Sequence, residues 1–164
     1  MADQTIIQTR EVPEPRLTIR VDADACPVSV RHHLERLAQR YHLDLVYYID
    51  DSHELHPTYG QVRQVGQSRD AVDLAIVNQI RNREIVVTQD YGLAALALAR
   101  KAAAIHPGGM LYTEQNIDRL LMERHLAARA RQAGEHFRGP KKRQKSEDLH
   151  FGDQLRRLIE DRLQ

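Results

Sequence analysis

Five aspartates sit where a chain could use them together. Asp22 and Asp24 follow the alternating run LTIRV in the string DADACP, Asp70 and Asp73 lie three apart in SRDAVDLAIV, and Asp90 comes two residues after Thr88 in VVTQDYGLA. Carboxylates gathered at one place repel one another and stay ionised together only beside a cation. Oxygen donors without His or Cys partners select a hard ion such as Mg²⁺ or Mn²⁺, which keeps several waters and binds phosphate directly. Such an ion activates a water and stabilises a leaving oxygen, which is the chemistry of phosphodiester hydrolysis. Single aspartates here also have plainer uses, Asp70 at a helix start and Asp90 as the cap of the next helix.

Convergence of these residues depends on the elements that carry them. Leu17–Val21 alternates as a strand, and Pro27 suits the first position of an amphipathic helix over Val28–Arg40. Leu43–Ile49 and Gln61–Val65 are expected as the next strands, with Asp50–Gly60 as a polar loop between them. Ser68 is the expected cap of a helix over Arg69–Ile80 with Ala71, Leu74, Ala75, Ile76 and Val77 inward. Glu84–Thr88 is a β-branched strand, Tyr91–Ala103 an Ala/Leu-rich helix and Ala104–His106 a brief strand. Asn116 would cap a helix over Ile117–Gln132, Gly134–Lys145 reads as a basic loop, and Ser146 would open a last helix with Leu149, Leu155, Leu158 and Ile159 inward. Strands alternating with helices predict an α/β fold, three layers α/β/α around a mainly parallel sheet. Right-handed crossovers then bring the strand ends, and the aspartates after them, to one edge.

The strings VDADACPV (Val21–Val28), SRDAVDLAIV (Ser68–Val77), VVTQDYGLAALAL (Val86–Leu98), YTEQNID (Tyr112–Asp118) and GPKK (Gly139–Lys142) resemble the YaiI/YqxD family of bacterial PIN-like proteins. The resemblance covers about residues 17–160. It implies a PIN-like acidic pocket, by analogy with metal-dependent ribonucleases. On this chain Asp22, Asp73 and Asp90 would hold Mg²⁺ or Mn²⁺, with Asp24 and Asp70 in support. Thr88 resembles the small hydroxyl residue that precedes the acidic position in many PIN-like sites and could orient a metal-bound water. The expected activity is a nuclease acting on RNA.

Two other functions use the same residues. A strand followed by DxD also opens haloacid-dehalogenase-type phosphotransferases, with Asp22 as nucleophile and Asp24 as acid/base. Cys26 stands where that class has Thr or Val, and no late acidic pair follows a strand. A non-catalytic RNA-binding or regulatory module would keep the pocket without turnover. In either RNA reading, Arg124, Lys141, Lys142 and Arg143 are candidate phosphate contacts, with Arg119, Arg129 and Arg131 on the same helix as Arg124. His32, His33, His53 and His56 form no convincing ligand set. Cys26 begins a helix, where the dipole would lower a thiol pKa, but packing beside the acidic turn is its plainer use. Gly92 permits a tight turn after Asp90, and Tyr91 is left open between packing and base stacking.

Composition bounds these readings. The chain has 164 residues, 29% charged and 41% hydrophobic, which suits one globular PIN-like domain over residues 17–164 after a flexible extension at 1–16. The longest run free of Asp, Glu, Lys and Arg is Ala102–Thr113, too short for a span of roughly 20 apolar residues. No basic start followed by an apolar core opens the chain, and the lone cysteine excludes an internal disulfide, so a cytoplasmic setting is expected. The net charge of +1 hides an asymmetry. Residues 1–118 carry 12 Lys+Arg against 16 Asp+Glu, and residues 119–164 carry 12 against 7, a basic helix-loop-helix after an acidic body.

Overall fold

β-branched and aromatic runs become the strands, and the stretches between them with an apolar stripe become the helices. The computed structural model describes residues 14–68 and 70–164. Its elements are β1 (Thr18–Asp22), α1 (Val28–Arg40), β2 (Asp44–Asp50), β3 (Gln61–Val65), α2 (Ala71–Gln79), β4 (Ile85–Val87), α3 (Tyr91–Ala99), β5 (Ala103–Ile105), β6 (Leu111–Tyr112), α4 (Glu114–Gln132) and α5 (Lys145–Leu163). The strands form one sheet in the order β3-β2-β1-β4-β5-β6. β1 to β5 run parallel, and only β6 is antiparallel, paired to β5.

Helices cover both faces. Ile19, Val21, Tyr47 and Val87 pack on one side with Val30, Leu34 and Leu37 of α1 and Phe151, Leu155 and Ile159 of α5. Val46, Tyr48, Val86 and Ala104 pack on the other with Val72 and Ile76 of α2, Leu93 and Ala97 of α3, and Ile117 and Leu120 of α4. The α/β/α architecture follows from strands apolar on both faces, which need two helical layers to leave water. Strand order reverses between β1 and β4, so the crevice at the carboxyl ends of those strands is the natural ligand position of this topology.

Three helix starts differ from expectation. α2 begins at Ala71 after Asp70, and Ser68 contributes only its carbonyl, which accepts from Ala71 N–H. Its core face is Val72, Ile76 and Ile80, so Leu74 stands on the far side, 58% exposed. α4 is capped by Thr113, with Asn116 closing the reciprocal box from the N3 position. α5 is capped by Gln144 with Glu147 in the same arrangement, and Leu149 faces solvent at 65% exposure because Phe151, Leu155 and Ile159 set the buried stripe. The two-residue β6 is too short to show strand periodicity. Of the expected N-terminal extension, residues 1–13 lie outside the described residues, and residues 14–16 have no regular structure.

α4 buries only Ile117 and Leu120, so its first turn matters to its placement. Thr113→Ala removes the side-chain acceptor of Asn116 N–H. The expected loss is about 1 kcal/mol, measured by urea denaturation.

Candidate acidic site at the strand-order reversal

Asp22 is the last residue of β1 and lies on the same sheet face as Arg20, towards α2. Thr88, fully buried, follows β4 directly. Its hydroxyl donates to Asp22 Oδ2 at 3.1 Å and accepts from Asp90 N–H at 2.9 Å. Its carbonyl accepts from the Tyr112 hydroxyl at 3.0 Å, and its N–H donates to Ile105 O at 3.1 Å. Thr88 is thus pinned from four directions and fixes Asp22 relative to Asp90. Asp90 caps α3, its Oδ1 accepting from Leu93 N–H at 2.9 Å. The plain capping role and a place in the site coexist in one side chain.

Charge ties the cluster together. Burial pushes the Asp22 carboxyl up to about 6, against the pull of the Thr88 hydroxyl, and Asp73, Asp24 and Asp90 add to the rise. Asp73, half-buried in the first turn of α2, is raised by burial and then by Asp90 and Asp70, with Arg124 opposing. Asp70 itself is exposed at the start of α2. Asp22, Asp73, Asp90, Thr88 and Arg124 therefore belong to one neighbourhood, with Asp70 at its margin.

Asp24 turns aside. Its carboxylate accepts from Asp50 N–H at 3.2 Å, and His53 Nδ1 lies 3.2 Å from Asp24 and 2.9 Å from Asp50. Among the described residues, Asp24, Asp50 and His53 are the group whose potential ligand atoms all lie within 4.8 Å of one another. The oxygens of Asp22, Asp73 and Asp90 are more widely spread. The spacing from Asp22 to Asp24 could not reveal this division, because the turn after β1 sends the second aspartate towards β2. Asp50 was legible in principle, since it ends a strand beside β1 on the same sheet edge.

A depression of about 630 Å³ opens over the site, lined by Asp22, Gln89, Asp90, Tyr91, Arg124 and Arg131. Gln89 Nε2 donates to Ala25 O at 2.8 Å and so ties the turn after β4 to the turn after β1. The Tyr91 ring packs edge-on against Tyr112, centroids 5.9 Å apart, which makes it part of a fixed wall. Lys141 and Lys142 are exposed in the loop before α5. Arg143 is engaged elsewhere, donating to Asp148 Oδ1 and to Pro107 O at 2.7 Å.

The sequence profile of the uncharacterized BCR, YaiI/YqxD family matches residues 20–161. The chain belongs to the YaiI/YqxD family. A UPF0178 protein of Clostridium acetobutylicum is 47% identical over 146 residues, covering 87% of this chain and 97% of its own length. UPF0178 proteins of Lachnoclostridium phytofermentans and Exiguobacterium sibiricum are each 44% identical, covering 97% and 99% of their lengths and 87% and 89% of this chain. No solved structure matches significantly.

The DADACP string of this YaiI/YqxD chain also carries Cys26, half-buried against the α1 side of the sheet. Burial pushes its thiol up to about 12, the reverse of what a helix dipole alone would do, with Arg31 opposing and Asp22 adding to the rise. The side chain packs against the core on that face. No helix among the described residues is long and apolar enough to cross a membrane.

Proposed function

We propose that this protein is a Mg²⁺- or Mn²⁺-dependent nuclease acting on RNA, with Asp22, Asp73 and Asp90 holding the metal. Asp22 carries the reading. It ends β1 where the strand order reverses, its carboxyl is pushed up to about 6, and the charged groups acting on it are all acidic. The donor set is oxygen alone, which suits a hard divalent ion. Its spread suits a hydrated ion, one or two of the three carboxylates binding directly and the rest through retained waters. When bound, such an ion supplies an activated water and charge for the leaving oxygen.

The chain's own groups divide the remaining work. The Thr88 hydroxyl donates a hydrogen bond to the Asp22 carboxylate and accepts one from Asp90 N–H, so it orients Asp22 and the turn that carries Asp90. Asp70 adds negative charge from the margin, and Asp24 holds the turn through Asp50 N–H. Arg124 and Arg131 place two guanidinium groups in the depression over the site, where a phosphate backbone would run. Lys141 and Lys142 are exposed cations in the loop before α5, which Arg143 braces against Pro107. A phosphotransferase using Asp22 as nucleophile fits less well, because the Asp24 carboxylate is taken up by Asp50 N–H and His53.

The test is cleavage of a labelled single-stranded RNA with Mn²⁺ or Mg²⁺ by wild type, Asp22→Asn and Asp90→Asn. The expected loss in each variant is about 100-fold or more, since even outer groups around a metal are worth 10–100-fold. Cleavage that survives both substitutions refutes the site. RNA binding with no cleavage by wild type makes the protein a binding module, and an aspartyl-phosphate trapped at Asp22 makes it a phosphotransferase.

A further inference from the structure

Arg124 of α4 stands against the acidic cluster. Its Nη1 lies 3.5 Å from Asp90 Oδ2, the oxygen left free by the α3 cap, which uses Oδ1. The same guanidinium is the cation acting on Asp73, so it offsets two of the three central carboxylates. A Cβ at Gly92 would crowd the capping oxygen Asp90 Oδ1 at 3.1 Å and stand at an ordinary contact distance, 4.0 Å, from Arg124 Nη1. The Arg124 side chain is 53% exposed, and ion pairs so exposed are weak and easily exchanged.

We propose that Arg124 is a built-in counter-ion of the acidic pocket, one that yields Asp90 to a divalent cation and then holds a phosphate of the RNA backbone. The inference rests on the metal-dependent reading above. A guanidinium and a divalent ion on the same carboxylate oxygen repel each other, so Arg124 opposes metal entry. Once displaced, its planar fork of donors matches phosphate geometry. Arg131, two turns along α4, lines the same depression and continues the basic wall. The arrangement gives Arg124 opposite effects on two ligands, which a residue that merely braced α4 would not have.

The experiment uses the full chain with Arg124→Ala, and with Arg129→Ala as a variant of equal charge change on the exposed side of α4. Binding of Mn²⁺ alone is followed by the electron paramagnetic resonance signal of the free ion. Binding of a fluorescent single-stranded RNA is followed by anisotropy in Ca²⁺. Arg124→Ala is expected to bind Mn²⁺ about two- to fivefold more tightly. Its RNA affinity is expected to fall, with the slope of log affinity against log salt reduced by about 1. Arg129→Ala is expected to leave Mn²⁺ binding unchanged. Unchanged or weaker Mn²⁺ binding by Arg124→Ala overturns the inference and leaves the metal site standing. Equal tightening in Arg129→Ala overturns it as a mere net-charge effect, and unaltered RNA binding removes the phosphate half. Wild type that binds no Mn²⁺ removes both the inference and the metal site beneath it.

Discussion

Glu84→Ala lowers the unfolding free energy by about 3–5 kcal/mol, because it leaves a buried guanidinium without its partner. Arg20 of β1 is 6% exposed beneath α2, on the strand face that ends at Asp22. Its Nε donates to Glu84 Oε2 at 2.7 Å and its Nη2 to Oε1 at 2.9 Å, a two-pronged pair. Nη1 donates to the Tyr48 hydroxyl at 2.7 Å, and Arg81 N–H donates to Glu84 Oε2 at 2.9 Å. Burial works against the charge of Arg20, but the bonds with Glu84 and Tyr48 outweigh it and hold its pKa above the ordinary value. The network therefore links β1, β2 and the turn before β4 under the site. Replacing both charges, as Arg20→Met with Glu84→Leu, is expected to recover much of the loss, since no unpaired ion then stays inside. Urea denaturation of the three forms measures this, and a loss under about 1 kcal/mol in Glu84→Ala would mean that the pair is solvated.

Asp22→Asn works in the opposite direction. In EDTA at pH 8 the variant is expected to be about 1–3 kcal/mol more stable than wild type, from the raised carboxyl pKa and with allowance for partial exposure. Burial and the neighbouring carboxylates push Asp22 to about 6 in the fold from an ordinary 3.8. Between those values the folded state binds more protons than the unfolded one, so stability falls as pH rises. The penalty is complete above about 6 and absent below 3.8. The gain from Asp22→Asn should accordingly shrink as pH is lowered from 8 towards 4. Saturating Mn²⁺ should reverse the order, because an ion that binds the folded wild type stabilises it by mass action. Equal stability of the two proteins in EDTA at pH 8 would show that Asp22 carries no such strain.

Much of the fold was legible, for a physical reason that individual elements illustrate. α1 over Val28–Arg40 and β3 over Gln61–Val65 coincide with their expected limits, since local periodicity and flanking turn residues decide such segments. An apolar residue type does not by itself fix an inward position. Leu74 and Leu149 are exposed because Val72 and Ile76, and Phe151 and Leu155, already define the stripes that meet the sheet. Which stripe is buried depends on the partner surface, and helical spacing alone permits more than one.

At the site the same division holds. The sequence by itself determined that Asp22, Asp73 and Asp90 would end up near one edge, since strand ends in a parallel sheet share an edge and α2 leads back to it. It also determined an acidic body with a basic C-terminal part. Only the tertiary structure decided how these charges pair. It sends Asp24 to Asp50 and His53, ties Arg143 to Asp148 and Pro107, buries Arg20 against Glu84, and lays Arg124 beside Asp90. These contacts join residues distant along the chain, and their energies turn on ångström separations and on burial, neither of which spacing along the chain encodes.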